Sequence, residues 1–191
     1  NAVAALAAVV EDASPSAIET MLAKLQPVPG RMERFVASAR ALVVVDYAHT
    51  PGSLEAALRA LREHTAGKLW CVFGCGGDRD RGKRAIMGEV AARLADHVVL
   101  TNDNPRQESP ESIIAAIRAG MPAQSACQVV LDRVEAIASV LNQADPADAI
   151  LIAGNGHETE QILADRRLAL SDRDNVAQLL PRQVGECARF G

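Results

Sequence analysis

The sequence lacks an excess of basic charge, an apolar run long enough to cross a membrane, and a secretion signal. Its 20 Lys and Arg residues are outnumbered by 24 Asp and Glu, and the charges are mixed along the chain, which argues against a nucleic-acid partner. No apolar stretch approaches the roughly 20 residues that a membrane-spanning helix needs, and no charged start precedes an apolar core as in a signal peptide. These absences predict a globular cytoplasmic protein with no membrane partner.

Cysteine is also scarce, and its spacing points to no particular chemistry. The sequence has four, with no CxxC pair among them: Cys71, Cys75, Cys127 and Cys187. Two of these lie in or beside an apolar run. Buried free thiols are therefore expected, rather than a metal site or a disulfide framework.

Length and composition predict one full domain with part of another. Of the 191 residues, 49% are hydrophobic, which is enough for a sizeable core. The chain starts without methionine, and residues 1–28 are Ala-rich with a helical pattern that runs into the proline-containing stretch QPVPGR (26–31). We expect residues 1–28 to be the helical tail of a neighbouring domain and residues 29–191 to form the main domain.

Short β-branched runs alternate with helical patterns in this main domain. The runs are ALVVVD (41–46), KLWCVFG (68–74), HVVLTN (97–102), CQVVLD (127–132) and AILIAG (149–154). Continuous apolar runs are typical of strands that are covered on both faces. The alternation predicts an α/β fold, namely a Rossmann-like, doubly wound and mostly parallel sheet with helices on both faces.

Helix starts are marked in the same region. The stretch SLEAALRALREH (53–64) repeats apolar residues at helical spacing, and IMGEVAARLA (86–95) behaves likewise. Thr50 and Ser109 are predicted N-caps, each followed by a proline at the first helical position. Ser171 with Asp174 resembles a capping box.

The stretch FGCGGDRDRGKR (73–84) superficially resembles a phosphate-binding loop. Such a loop needs small, uncharged residues around the phosphate, then Lys, then a Ser or Thr hydroxyl. Here Asp78 and Asp80 would lie inside the loop, and Arg84 occupies the hydroxyl position. The third glycine of a dinucleotide fingerprint is missing as well. The stretch is predicted instead to bind an ionic, hydrogen-bonding ligand.

Polar residues follow four of the predicted strands, at the edge where open α/β sheets bind ligands. They occupy positions 46–49, 74–84, 103–106 and 154–158. Arginines there suit carboxylates and acidic residues suit ammonium groups, so a zwitterion such as an amino acid matches the set. Each side chain taken singly could also be a solvated surface group, and the sequence leaves that alternative open.

Four segments, in this order and spacing, resemble the C-terminal domain of the Mur ligases: VVVDYAHTPGSLEAAL (43–58), FGCGGDRDRGKR (73–84), TNDNPRQESP (101–110) and AGNGHETEQ (153–161). The resemblance extends over nearly the whole chain, and the opening helices resemble the end of the family's central ATPase domain. DNPR (103–106) is typical of members that use meso-diaminopimelate, because lysine-adding members carry a different residue in place of Arg106.

The resemblance implies an ATP-dependent amide ligase of peptidoglycan biosynthesis. Such an enzyme would add meso-diaminopimelate to UDP-MurNAc-L-Ala-D-Glu: Mg²⁺ and ATP phosphorylate the γ-carboxylate of the D-glutamate residue, and the amine then attacks the acyl phosphate. No catalytic residue and no metal ligand are expected in this chain, because the family's phosphate-binding loop, magnesium-binding residues and UDP-binding domain have no counterpart here. The Mg²⁺ and most of the ATP site would lie in a central domain outside this sequence. The chain alone is expected to be inactive.

The resemblance also assigns residues to ligands. It implies that meso-diaminopimelate contacts Arg79, Asp103, Asn104, Pro105, Arg106, Gly154 and Glu158, with the arginines on its distal carboxylate and Glu158 near its distal ammonium. It implies that ATP contacts Asn1, Arg31, Asp46 and Tyr47. Arg31 could instead form a salt bridge at the hinge, and Asp46 could cap the next helix. His49 is expected to orient its loop.

One position departs from the family pattern, and three other functions stay open. The family usually has GKGHE where this chain has GNGHE (154–158), so Asn155 replaces a lysine and a positive charge is missing. We expect this to tune the activity rather than abolish it. The alternatives are a lysine-adding Mur ligase, a ligase domain like that of folylpolyglutamate synthase, and an isolated amino-acid-binding module.

Overall fold

The computed structural model describes residue 14 and residues 28–180. Asn1, Cys187 and nearly all of the predicted helical tail (1–28) lie outside the described residues. Cys71 and Cys75 are buried and Cys127 is half-buried, and all three are free thiols, as expected. Within the described part, no helix is both long and apolar enough to span a membrane.

The predicted α/β fold is confirmed. Six strands form one sheet in the order β1-β2-β6-β3-β4-β5. The strands are β1 (Glu33–Phe35), β2 (Leu42–Asp46), β3 (Leu69–Phe73), β4 (His97–Leu100), β5 (Cys127–Val129) and β6 (Ala149–Ala153). β1 pairs antiparallel with β2, and every other pairing in the sheet is parallel. The five predicted strands are therefore all present, with β6 returning to the middle of the sheet.

The helices cover both faces of the sheet. They are α1 (Pro51–Arg62), α2 (Gly82–Leu94), α3 (Pro110–Arg118), α4 (Arg133–Gln143) and α5 (Asp172–Leu179). One apolar cluster joins α1, α2 and α3 to the face that carries Cys71 and Phe73. A second cluster joins α4 and α5 to the opposite face, which carries Trp70 and Val72. Because successive residues of β3 serve opposite clusters, all five of its residues are buried.

The predicted helix starts are confirmed by their capping bonds. The Thr50 hydroxyl accepts from the backbone N–H of Ser53, and the Ser109 hydroxyl accepts from that of Ser112. Ser171 caps α5 in the same way. These caps fix where the chain turns from each strand end into the next helix, and so they fix the start of the loops between them.

Two elements have no counterpart in the predictions. The edge strand β1 was not predicted, because it is three residues long and two of them are charged. A separate hairpin of β7 (Glu160–Ile162) and β8 (Arg167–Ala169) follows β6. The hairpin has no apolar run, and its importance lies in the loop that it holds.

Candidate functional site

Four adjacent strands, in the order β2-β6-β3-β4, send their following loops to one edge of the sheet. These loops contain the polar residues that the sequence predicted for this edge. A Cβ atom placed on Gly76 would lie 2.9 Å from Nη1 of Arg106, and Tyr47 and Asn104 both bond to Glu158. The predicted convergence of the four strand ends is therefore confirmed.

Glu158 lies at the centre of this edge. Its Oε2 accepts a hydrogen bond of 2.9 Å from Nδ2 of Asn104, and its Oε1 lies 3.4 Å from the Tyr47 hydroxyl. A carboxylate offers about four lone-pair positions. Within residues 28–180 these two bonds are the ones that Glu158 makes through its side chain, so it retains acceptor capacity for a cationic ligand.

Arg106 and Arg79 both lie close to Gly76. The Nη1 of Arg106 donates to the carbonyls of Gly77 (3.0 Å) and Asn104 (3.3 Å). Cγ of Arg79 lies 3.7 Å from the position that a Cβ of Gly76 would take, and Arg79 is exposed. In the described part of the chain, Nε and Nη2 of Arg106 donate to no protein group. Both arginines thus start beside Gly76, and Arg106 keeps two donor nitrogens that an anionic ligand could use.

The DNPR loop is held in place by the hairpin that the sequence did not predict. Gln161 of β7 donates from Nε2 to the carbonyl of Asp103 (2.7 Å), and the backbone N–H of Ile162 donates to Oδ1 of Asn104 (2.7 Å). The backbone N–H of Arg106 in turn donates to the carbonyl of Ile162 (3.1 Å). These bonds orient Asn104 so that its amide N–H₂ faces Glu158.

Gly154 allows the loop after β6 to approach the DNPR loop. Its φ is +113°, a backbone conformation that L side chains rarely adopt. A Cβ atom there would also lie 2.8 Å from Oδ2 of Asp103. Any side chain at this position would therefore strain the backbone and displace the Asp103 carboxylate. Pro105 is buried in the same loop.

The residues predicted for ATP form a second group beside the first. The Arg31 guanidinium lies 4.7 Å from the centroid of the Tyr47 ring, a cation–π distance. The Tyr47 ring also contacts the rings of His49 and His157, with centroids 4.6 and 5.0 Å apart. Oδ2 of Asp46 accepts from the backbone N–H of Met32 at 2.7 Å. Three of the four predicted residues are thus adjacent, and Asn1 lies outside the described residues.

The contacts within residues 28–180 bear on the two alternatives for these residues. Asp46 does not cap α1, because Thr50 is its N-cap. Arg31 stacks on Tyr47, and within residues 28–180 it has no salt bridge. His49 does orient its loop: its Nδ1 lies 2.9 Å from the carbonyl oxygen of Tyr47.

Tyr47 connects the two groups of residues. Burial, followed by the negative charge of Glu158 and the hydrogen bond to it, raises the pKa of Tyr47 above its usual range. The phenol is therefore protonated at neutral pH and donates to the Glu158 carboxylate. A movement of the Tyr47 ring would thus alter the hydrogen bond to the Glu158 carboxylate.

The two basic residues that end the stretch 73–84 are both bonded to protein groups. Arg84 is 2% exposed and pairs with Glu108 through two bonds, of 3.0 and 2.9 Å. Lys83 donates to the carbonyl of His49 at 2.7 Å. Both side chains therefore hold protein segments together in this structure.

Sequence reasoning missed a buried ion pair beneath the site. Arg133 and Asp172 have fully buried side chains and pair through bonds of 2.8 and 2.7 Å. Arg133 also donates to the carbonyls of Asn102 (3.2 Å) and Ala153 (3.0 Å), the residues just before Asp103 and Gly154. It therefore joins the ends of β4 and β6. Neither residue carries a local sequence signal, because their partners are remote in the chain.

Asn155, the residue that departs from the family pattern, is 2% exposed. Its carbonyl accepts from the backbone N–H of Glu158 at 2.9 Å and so closes the turn that carries that carboxylate. Among residue 14 and residues 28–180, no group of three or more His, Cys, Asp or Glu side chains could hold a metal ion.

Comparison with known proteins identifies relatives of this chain. The family described as "Mur ligase, glutamate ligase domain" matches residues 30–156. The ligase of Alkalilimnicola ehrlichii named UDP-N-acetylmuramoyl-L-alanyl-D-glutamate–2,6-diaminopimelate ligase is 54% identical over 184 residues, which is 96% of this chain and 36% of the relative.

Solved structures give the same picture. A structure of a ligase of that name is 41% identical with a TM-score of 0.76, and the match covers 92% of this chain and 36% of that one. A bifunctional folylpolyglutamate and dihydrofolate synthase of Yersinia pestis, complexed with AMPPNP and Mn, is 24% identical with a TM-score of 0.59, over 80% of this chain and 34% of that one. The second match reflects the fold alone. The chain spans about a third of the length of these relatives.

Proposed function

Because the chain belongs to the Mur ligase family, we propose that it is the amino-acid-binding part of an ATP-dependent ligase that joins meso-diaminopimelate to UDP-MurNAc-L-Ala-D-Glu. The domain boundary near Pro29 belongs to this proposal, and the start of the family match at residue 30 supports it. Residues 1–28 would then end a central ATPase domain. A cytoplasmic location follows from the proposed use of ATP.

The observation that carries the proposal is the arrangement of opposite charges around Asn104. This residue accepts from Arg106 through its carbonyl and donates to Glu158 through its amide, so it contacts a cation of its own loop and an anion of the loop after β6. Arg106 and Arg79 would bind the distal carboxylate of diaminopimelate, and Glu158 would bind its distal ammonium. Asp103, Pro105 and Gly154 would shape the wall of this site.

Selectivity against lysine follows from the same arrangement. Lysine has no distal carboxylate, so it would leave Nε and Nη2 of the Arg106 guanidinium desolvated without a partner. An unpaired polar group of this kind costs about 1–3 kcal/mol, or roughly a tenfold to hundredfold loss of kcat/KM. Pairing of the distal carboxylate with Arg106, rather than the size of the side chain, would therefore determine which amino acid is used.

ATP would bind beside the amino acid, at the group formed by Tyr47, Asp46 and Arg31. Tyr47 and Asn1 would contact the base, Asp46 the ribose and Arg31 a phosphate. Because the Arg31 guanidinium lies over the Tyr47 ring in this structure, the Arg31 side chain would have to leave that ring in order to reach a phosphate. The family resemblance implies that Mg²⁺ would be held by the remainder of the ligase.

The chain's contribution to the reaction would be positioning. It would place the diaminopimelate amine next to the acyl phosphate of the D-glutamate side chain, where attack expels phosphate, and proximity of this kind accounts for much of the acceleration in such reactions. The chain alone would then release no phosphate. Phosphate release from the 191-residue chain with ATP and diaminopimelate would contradict this part of the proposal.

The proposal is tested with the complete ligase that carries this chain, supplied with the UDP-linked dipeptide, ATP and one of three amino acids. We expect product with meso-diaminopimelate and at least tenfold lower kcat/KM with L-lysine or L-glutamate. In Arg106→Gln the preference over lysine is lost. The matched control is Arg166→Gln, which changes an exposed arginine of the β7–β8 turn. A wild-type preference for lysine or glutamate would favour one of the alternative ligases.

A further inference from the structure

Glu108 joins the two loops that carry the site arginines. Its carboxylate accepts from the backbone N–H of Asp78 at 2.7 Å and from both terminal nitrogens of Arg84, at 3.0 and 2.9 Å. Arg81 adds an ion pair at 3.2 Å. We call this group of four residues, Asp78, Arg81, Arg84 and Glu108, the Glu108 clasp.

The central pair of the clasp, Glu108 and Arg84, is largely buried. The Glu108 side chain is 10% exposed and that of Arg84 is 3% exposed. The hydrogen bonds from Arg84 and from the backbone N–H of Asp78 lower the pKa of Glu108 to about 2. The carboxylate is therefore ionised, and the clasp intact, throughout the physiological pH range.

Hydrogen bonds from backbone N–H groups also join the two loops. The N–H of Gly77 donates to the carbonyl of Asn104 (2.9 Å), and the N–H of Gln107 donates to Oδ2 of Asp78 (3.1 Å). A Cβ atom on Gly77 would collide with the carbonyl of Pro105. The two segments thus lie in direct contact, with Glu108 closing their outer side.

Both segments hold a residue in a strained conformation. Asp78 and Arg106 each have a φ of +52°, which L residues other than glycine rarely adopt. Such conformations persist where the surroundings fix them and they cluster at binding sites. Asp78 directly precedes Arg79, so its backbone conformation helps to set where the Arg79 side chain begins, beside Gly76.

We propose that Glu108 is a positioning residue for amino-acid selectivity, because it holds the loop of Arg79 against the loop of Arg106 so that both guanidinium groups meet one carboxylate of the ligand. The inference rests on the proposed function and extends it. Glu108 itself need not touch the ligand. Without it, Arg79 would be free to leave Arg106, and a ligand carboxylate would lose one of its two partners.

The test compares the complete ligase with its Glu108→Gln variant on meso-diaminopimelate and on L-lysine. Gln keeps the shape of Glu but removes its charge. We expect the KM for diaminopimelate to rise about tenfold, the loss of one charge-assisted bond. The kcat for diaminopimelate and both parameters for lysine should change little. Equal changes of KM for both amino acids would indicate a general disturbance of the structure and would overturn the proposal. An unchanged selectivity would overturn it as well.

Two further variants test whether Glu108 acts through Arg79. Glu55→Gln is the matched control, because Glu55 also pairs with two arginines, Arg59 and Arg93, but on the surface between α1 and α2. It should leave the selectivity unchanged. In an Arg79→Ala background, Glu108→Gln should have little additional effect on the KM for diaminopimelate, because the group that it positions is gone.

The outcomes separate this inference from the proposed function. A full tenfold effect of Glu108→Gln in the Arg79→Ala background would show that Glu108 acts through another group and would overturn the inference alone. A wild-type enzyme that does not prefer diaminopimelate would overturn the proposed function, and the inference with it. Thermal unfolding of each variant shows whether the fold is retained.

Discussion

Carboxylates line both edges of the sheet, but they are used differently at the two edges. At the amino ends of the strands, Asp148 accepts from the backbone N–H groups of Lys68 and Asp145 and from Nε1 of Trp70. Asp96 likewise accepts from the N–H of Leu69 and from Arg62. At the carboxyl ends, the Glu158 side chain accepts two hydrogen bonds and the Arg106 side chain donates from one nitrogen. Unused hydrogen-bonding capacity, rather than charge, distinguishes the candidate site from the supporting edge.

Backbone strain follows the same division. Within residues 28–180, four residues other than glycine have a positive φ: Met32, Ala39, Asp78 and Arg106. Met32, Asp78 and Arg106 belong to the candidate site, where hydrogen bonds hold each of them. Ala39 lies in the turn before β2, at the amino edge. We therefore expect strain to be needed at one edge and dispensable at the other.

The largest effect is expected from breaking the ion pair beneath the site. Arg133→Met leaves Asp172 as an uncompensated charge in a fully buried place, which typically costs about 3–5 kcal/mol. Urea unfolding measures the loss. The double variant Arg133→Met with Asp172→Leu should recover most of it, because no unpaired charge remains.

A matched control exists for this variant on the protein surface. Arg59 pairs with Glu55 but its side chain is 58% exposed, so Arg59→Met should destabilise the protein far less. If Arg133→Met and Arg59→Met destabilise the protein equally, the carboxyl edge does not depend on its buried pair.

A smaller effect is expected at the amino edge, from Asp148→Asn. Burial opposes the ionisation of Asp148, but the bonds from Trp70, Lys68 and Asp145 outweigh it and hold its pKa below the usual range. Replacement by Asn weakens these bonds at a cost of about 1–3 kcal/mol at neutral pH. The proposed diaminopimelate selectivity should be unchanged, since none of these groups reaches the candidate site.

The pH dependence checks the same prediction. A carboxyl with a lowered folded pKa adds stability that is complete above its unfolded pKa of about 3.9 and is lost as the pH falls through the folded value. Urea unfolding between pH 3 and 7 should therefore show a shallower acid loss in Asp148→Asn than in the wild type. Asp165→Asn, at an exposed position, should keep the wild-type slope. Identical slopes in all three proteins would refute the assignment.

The smallest effect sharpens the contrast in strain. Ala39→Gly should stabilise the protein by about 1 kcal/mol, since glycine adopts a positive φ without the Cβ clash, and it should leave selectivity unchanged. Thermal unfolding measures the gain. A loss of stability would mean that the entropy of the added glycine outweighs the relief of strain.

Sequence patterns predicted the central strands and the helix starts because both are local signals. β3 and β6 are buried along their full length, so their apolar runs are unbroken. The sequence patterns did not predict β1 or the β7–β8 hairpin, because these strands are three residues long and lack apolar runs. The strand ends also pointed to Arg79, Arg106 and Glu158.

The supporting residues of the site could not be predicted in the same way. Glu108 meets Arg84 across 24 positions, Arg133 meets Asp172 across 39, and Gln161 meets the Asp103 carbonyl across 58. No periodicity or motif marks residues whose partners are this distant. The assignment of individual residues to diaminopimelate and ATP came from family resemblance, and it remains a prediction.

The sequence by itself determined the alternation of strands and helices and the polar strand ends, because spacing, capping and apolar runs act within a few residues. The tertiary structure alone decided that β6 lies between β2 and β3, and thereby which four loops share an edge. It also decided which charges are satisfied and which remain available. That outcome depends on desolvation and pairing through space, between groups that are far apart in the chain.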